Sequence, residues 1–273
     1  MGKLGIGLLL LVQGLITPVY AQELVFTAPP REMPKAGQRL YGPIALHLSE
    51  LLGKRVVYQH AGDWLTYQRD MRVDKFDIVF DGPHFAAWRI THLEHDVLVK
   101  LPGQLIFYLL VDWDDQSINQ PRDLVGKKIC GIAPPNLSTL AILQAYPNPV
   151  RQPEIRGIVG GMPAVFAAFR NSRCRAVVVR SSFYDEVLTK KQRQQLKIIH
   201  TTKAFPNQSI TVSKRVSQRD KTLIVQSLML GEGVRASQQV VRRFGGQAKS
   251  FIPARLAEYK GHQTLLEGVI FGW

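Results

Sequence analysis

The sequence predicts an α/β protein of two lobes, each a mainly parallel sheet flanked by helices, with two crossover strands joining them. Three observations carry this. Short apolar strands alternate with amphipathic helices from Leu24 to His200; the alternation falls into two series separated by one long strand; and a helical tail follows with no sheet of its own.

The first series opens with a strand at Leu24 to Thr27. After a Pro-rich loop, Pro43 to Leu52 reads as a helix with Ile44, Leu48, Leu51 and Leu52 on one face, Pro43 at its first position and Gly53 ending it. Val56 to Gln59 is a strand, Asp63 caps a helix reaching Arg72, and Asp77 to Phe80 is a strand ending at Asp81-Gly82-Pro83. The order is βαβαβ, hence a parallel sheet.

Gln104 to Val111 reads as one long strand leading away. The second series follows: strand Lys128 to Ile132, a helix opening near Ser138, strand Ile155 to Val159, helix Pro163 to Arg170 and strand Arg175 to Arg180. Helix Phe183 to Lys191 and strand Leu196 to His200 complete it. The chain then crosses back through Thr201 to Val212 and becomes helical at Ser217 to Leu230 and Val234 to Phe244, a tail expected to pack on the first lobe.

Residues 1–22 read as a cleavable signal peptide. Lys3 precedes an apolar run from Leu4 to Val12, and Val19-Tyr20-Ala21 is the small-x-small pattern of a cleavage site, with the mature chain starting at about Gln22. No cysteine marks a lipid attachment, and no later apolar run approaches the roughly 18 residues of a membrane span. A soluble periplasmic protein is expected.

Hydrophobic residues form 45% of the chain and charged ones 21%, which fits a globular protein rather than a disordered one. The formal net charge is +14, and because Lys3 is the one charge in residues 1–22, the exported part keeps +13. The cations are scattered, with no basic tail and no aromatic-basic repeat, so nucleic acid is disfavoured and a field drawing small anions into a cleft is the functional alternative to a merely soluble basic surface. Cys130 and Cys174 lie in two strand-like runs; with one near a strand end and the other at a strand start, they read as two buried thiols rather than a bridge.

Carboxyl ends of parallel strands that lead into helices are where open α/β sheets bind ligands. The strongest such place is Ala133-Pro134-Pro135-Asn136-Leu137-Ser138-Thr139: two prolines stiffen the loop, Asn136 caps, and Ser138 and Thr139 offer hydroxyls and amides at a helix start. An ordinary capped helix would look the same. At Asp81-Gly82-Pro83-His84, Gly82 allows close backbone approach, His84 can reach an anionic oxygen, and Asp81 either receives a cationic group or caps the helix. Arg180 and Ser181 close another strand exit, where the guanidinium can clamp an oxyanion with two donors. Tyr41 stands near the first exit, able to stack, donate or merely pack.

Catalytic machinery is not visible. His92-Leu93-Glu94-His95 has no third metal ligand at a matching spacing, and no nucleophile elbow or Walker loop occurs. Neither a metal nor a cofactor is expected.

These features in this order resemble the phosphate/phosphite/phosphonate type of ABC-transporter substrate-binding protein: an exported chain, a first α/β lobe with Tyr41-Gly42-Pro43 and the strand exit at Pro83, a crossover at Leu105 to Asp112, then Asp123-Leu124-Val125-Gly126-Lys127-Lys128 before a strand and a Ser138-Thr139 helix. The resemblance implies a type II periplasmic binding fold, with one lobe from residues 23–103 plus 204–273 and the other from 104–203, closing about a hinge. It implies an oxyanion held by Ser138 and Thr139, with Tyr41 and the Asp81-to-His84 loop opposite. Leu140 and Ala141 replace the family's usual continuation after Thr139, and for an aminoalkyl phosphonate Asp81 and Asp185 are the acidic groups to consider. It further implies a monomer that binds a small anion without catalysis and delivers it to a membrane permease. A sensory subunit serving a membrane signalling protein, a binder of another organic anion such as a sulfonate, and an exported enzyme on the same scaffold are the alternatives. Trp64, Phe85 and Trp88 would favour an organic ligand if they lined the cleft, and read otherwise as core.

Overall fold

The structure is a computed structural model that describes residues 23–267; the signal-peptide reading of residues 1–22 lies outside them. The elements in chain order begin with β1 (Leu24–Thr27), α1 (Pro34–Leu52), β2 (Val56–Tyr58), α2 (Trp64–Arg72), β3 (Ile78–Asp81), α3 (Pro83–Leu93) and β4 (Asp96–Lys100). Next come β5 (Gln104–Leu105), β6 (Phe107–Asp112), β7 (Lys128–Gly131), α4 (Leu137–Leu143), β8 (Glu154–Gly157), α5 (Gly161–Arg170) and β9 (Ala176–Arg180). A π-helical turn at Phe183–Val187 leads to α6 (Lys190–Gln194), β10 (Leu196–Thr201), β11 (Phe205–Pro206) and β12 (Ser209–Val212). The chain then runs through α7 (Gln218–Met229), α8 (Glu232–Phe244), β13 (Ile252–Pro253) and α9 (Thr264–Glu267).

Two sheets repeat one plan. The first has the order β13-β4-β12-β3-β1-β2 and the second β10-β6-β9-β7-β8. In each, three parallel strands made by βαβ units are followed by an antiparallel strand delivered by a crossover: β12 beside β3, and β6 beside β9. The two crossovers also pair with each other, Phe205 opposite Leu105 and Pro206 opposite Gln104. This explains a departure from the sequence reading. The single long strand expected from Gln104 is interrupted at Ile106, because Gln104–Leu105 belongs to the ribbon between the sheets and Phe107–Asp112 to the second sheet.

The helix expected from Pro43 begins at Pro34, and Pro43 sits inside it. The missing amide of Pro43 deprives the carbonyl of Arg39 of its helical partner, and Arg39 is exposed to water. Leu40, Tyr41, Ile44, Ala45 and Leu48, with Leu51 and Leu52 packed against them, bury the apolar face of α1 and outweigh that loss; Gly53 in the left-handed region (φ 60) ends the helix as read. The helix read from Phe183 to Lys191 is broken at Leu188, where Thr189 starts α6 by accepting from the Gln192 amide. Strand β4 was not legible in the sequence, and the tail is not purely helical, since β13 pairs with it. Helices α7 and α8 pack against α1, as expected of a tail returning to the first sheet.

The cysteines correct the sequence reading outright: Cys130 and Cys174 form a disulfide with their Cα atoms 5.5 Å apart. The ladder places Cys130 opposite Val177, so a strand extended back to Cys174 would have been too distant. Cys174 instead precedes β9, in the turn that leaves α5, and its position is not set by strand register.

Two apolar cores matter for the site. One lies within the first sheet's layer and holds Phe26, Tyr41, Ile44 and Phe80. Another joins the two halves, running from Tyr67, Phe85 and Trp88 through Leu137 and Leu140 to Leu109 and Val178. Leu265 and Leu266 of α9 belong to it, and α9 touches both α3 and α4.

Candidate functional site

The exits of β3 and β7 meet. Gly82 caps α3, Pro83 takes its first position, and His84 in that first turn is only 3% exposed. His84 Nε2 lies 2.9 Å from the carbonyl oxygen of Pro135, in the loop after β7. A carbonyl only accepts, so Nε2 carries the proton and donates, which leaves Nδ1 as a bare acceptor. Nδ1 is buried and has no partner among the described residues. Burial pushes the His84 pKa down to about 3, and the positive charge of Arg31 and His262 adds to the effect. The imidazole is therefore neutral at pH 7, with the Arg31 cation nearby.

On the other side, Asn136 is the cap the sequence suggested. Its Oδ1 accepts from the Ser138 amide (3.0 Å) and the Ser138 hydroxyl (2.7 Å). The Thr139 hydroxyl donates to the carbonyl of Ile132. Both residues are fully buried. Gly131 is required here: a Cβ at that position would stand 2.9 Å from Thr139 Oγ1. The donors are thus gathered at the junction of the two halves, already turned toward acceptors within their own loop.

Arg180 ends β9, the strand next to β7 in the same sheet, so its exit adjoins that of Ser138 and Thr139. Its Nε is buried and has no partner among the described residues, and burial lowers its pKa, opposed by the charge of Glu186. The Ser181 amide donates to the carbonyl of Ile106 at 2.8 Å, tying this exit to the crossover ribbon. Arg180 is a cation with a desolvated donor to offer, the feature an oxyanion site needs.

Two expectations are corrected. Asp81 is not available to a cationic ligand group: it is fully buried, accepting from the Tyr67 hydroxyl (2.5 Å) and from Arg89 Nε (2.9 Å). The alternation of side chains along β3 turns it into the protein rather than toward the exit. Tyr41 is not on the wall between the halves but in the first sheet's own core, its ring 5.2 Å from that of Tyr58. Burial raises its pKa to about 12, and its hydroxyl has no partner among the described residues. Asp185 is exposed on the π-helical turn. Of the aromatic residues, Trp64 stacks on Phe85 at 6.0 Å, and Phe85 and Trp88 pack in the joint core.

His92 Nε2 meets Glu267 (2.8 Å) and His95 Nε2 meets Asp74 (2.7 Å). Among the described residues no three His, Cys, Asp or Glu side chains gather as a metal site, and no helix is long and apolar enough to cross a membrane. Sequence reasoning missed Gln208 and His262. Gln208, whose buried Oε1 has no partner among the described residues, immediately precedes the strand that pairs with β3 and reaches the site edge only because β12 runs antiparallel. His262 lies 5.1 Å from the Phe205 ring and arrives with the C-terminal segment. No local pattern marks either one.

Two mixed sheets with crossover-delivered antiparallel strands and facing strand exits define a two-lobe type II periplasmic binding fold. Solved structures of similar shape include XAC2383 from Xanthomonas citri bound to ATP (TM-score 0.68, 13% identity, 90% of this chain and 96% of that one). PhnD1 from Prochlorococcus marinus in complex with methylphosphonate gives 0.65 at 15% identity, covering 90% and 99%. A binding protein component of an ABC phosphonate transporter from Pseudomonas aeruginosa gives 0.57 at 13%, covering 90% and 85%. Residues 26–259 match the family described as ABC transporter, phosphonate, periplasmic substrate-binding protein, and the chain belongs to that family. A sequence search among curated proteins finds no match.

Proposed function

We propose that this chain is exported by cleavage of residues 1–22, captures a small phosphonate-class oxyanion between residues 23–103 plus 204–273 on one side and 104–203 on the other, and hands it to its ABC permease as a monomer without catalysing a reaction. The observation that carries the reading is the His84 to Pro135 bond, which brings the two strand exits face to face. Arg180 supplies charge and a free donor, and the hydroxyls of Ser138 and Thr139 exchange Asn136 and Ile132 for ligand oxygens. The β5 and β11 ribbon serves as the hinge over which the halves part to admit the ligand.

Isothermal titration of the purified protein with methylphosphonate, phosphite, phosphate and methanesulfonate tests the reading. Heat with a phosphonate or phosphite, and weaker or no heat with the sulfonate, is expected. Silence from all four overturns it.

A further inference from the structure

Two covalent crossovers join the halves, at β5 and at β11, and the C-terminal segment adds a third connection that is not covalent. Helix α9 touches α3, which begins at Pro83 and carries His84, and also α4, which carries Ser138 and Thr139. It rests on the two helices whose first turns make the facing strand exits. Leu265 is 7% exposed and Leu266 1%, and both lie in the core that holds Leu137 and Leu140 of α4 together with Phe85 and Trp88 of α3.

The attachments to the two halves differ in kind. Toward the first half the segment is held by polar groups and deep packing. The Tyr259 hydroxyl lies 3.4 Å from the carbonyl oxygen of Asn207, and its buried ring packs with Ala86 and Ala87 of α3. Glu267 meets Nε2 of His92, near the end of α3, at 2.8 Å. His262 stands 5.1 Å from the Phe205 ring of β11. Toward the second half, residues 259–267 form no hydrogen bond or ion pair with residues 104–203 among the described residues, and the contact with α4 is apolar.

Rotation of the halves about the β5 and β11 ribbon separates α3 from α4, and a helix of four residues cannot follow both. The polar anchors decide which side it keeps. An apolar seam parts without stranding a buried donor or acceptor, whereas leaving the first half would unpair Glu267 and uncover Tyr259. We propose that the C-terminal segment is a clasp: it travels with the first half, docks Leu265 and Leu266 on α4 as the halves close, and slows ligand release by holding the Ser138 and Thr139 exit against that of His84. Its effect on release rests on the ligand reading above. Its bias toward the closed form does not, because apolar burial favours closure with or without a ligand.

Small-angle X-ray scattering of the ligand-free chain, and stopped-flow release of methylphosphonate followed by tryptophan fluorescence, test the clasp on Leu265→Ala/Leu266→Ala. The ligand-free variant should show a larger radius of gyration than the unaltered chain, and release should be faster by about tenfold or more, since both truncated side chains are core leucines. Leu228→Ala, buried in α7 within the first sheet's core, should lower the melting temperature and leave both readings unchanged. Leu265→Met/Leu266→Met, which keeps the apolar volume, should restore both. Either reading left unaltered in the alanine variant overturns the clasp and leaves α9 as static packing, and so does an equal change in Leu228→Ala. Absence of any methylphosphonate binding to the unaltered chain would count against the ligand reading instead, and the scattering would still decide the clasp. Leu265→Ala alone gives the same readings in smaller measure if the double variant does not fold.

Discussion

Arg89 Nε and Asp81 Oδ2 face each other at 2.9 Å, and neither side chain touches solvent. Tyr67 completes the arrangement, its hydroxyl donating to Asp81 and accepting from Arg89 Nη2 at 3.1 Å, while the guanidinium lies over the Tyr67 and Phe76 rings. Removing one charge of such a pair strands the other in a dry interior. Arg89→Met or Asp81→Ala should each lower stability by about 3–5 kcal/mol, and the combined substitution by less than the sum. Urea unfolding of the three variants checks this; a single-variant loss under about 1 kcal/mol would show that water reaches the pair.

The Cys130 to Cys174 bridge closes a loop of 44 residues around the second sheet's βαβ unit. Chain-entropy arguments give a bridge of that span about 2–4 kcal/mol. Adding a thiol reductant should therefore lower the unfolding free energy by that amount and move the urea midpoint down accordingly, and Cys130→Ala/Cys174→Ala should show the same loss without reductant. An unchanged midpoint would mean that the cysteines are not joined.

Buried histidines shape the acid limb of the stability curve, His84 and His95 most strongly. His84 has its pKa depressed to about 3 by burial and the neighbouring charges of Arg31 and His262. His95 is depressed to about 4, by burial first and then Arg89, with Asp74 opposing. Both are neutral when folded and take up a proton more readily when unfolded, near the ordinary value of about 6.5. The unfolded chain thus binds more protons below that pH, so stability should be full above about pH 6.5 and decline as pH falls toward 3. The decline between pH 6.5 and 4.5 belongs to the histidines, because carboxylates titrate lower. Denaturant midpoints across this range should show it in the unaltered chain and show a flatter slope in His95→Asn.

Arg180 gives the ligand site its sharpest test. Replacing its guanidinium removes a charge-assisted donor whose Nε no other described residue occupies. Arg180→Met should weaken oxyanion binding by roughly 10- to 100-fold, the range of one hydrogen bond to a charged group, with little change in melting temperature. Unaltered affinity would remove Arg180 from the site.

Much of the fold was legible because its cause is local. The strand at Leu24–Thr27, the Asp63 cap and the Asn136 cap depend on neighbours within a few residues, and each stands as read. Pro43 misled because a helix interior tolerates proline when the rest of its apolar face is buried, and burial is not written beside the proline. Strand β4 escaped notice because its three apolar residues, Val97 to Val99, gain their meaning only from β12 and β13 on either side.

The site divides the same way. Helix starts and the residue types at Ser138, His84 and Arg180 follow from the sequence alone, since capping chemistry and strand-to-helix order are properties of short stretches. Whether Asp81 points outward, whether Tyr41 reaches the junction, and which distant residues join it are fixed by register and by the return of the chain. Asp81 turned to Arg89 and Tyr41 entered the first core, while Gln208 and His262 arrived through the antiparallel β12 and the C-terminal segment. Local patterns specify which groups a strand exit carries; only the burial of charge and apolar surface in three dimensions decides which way each one faces.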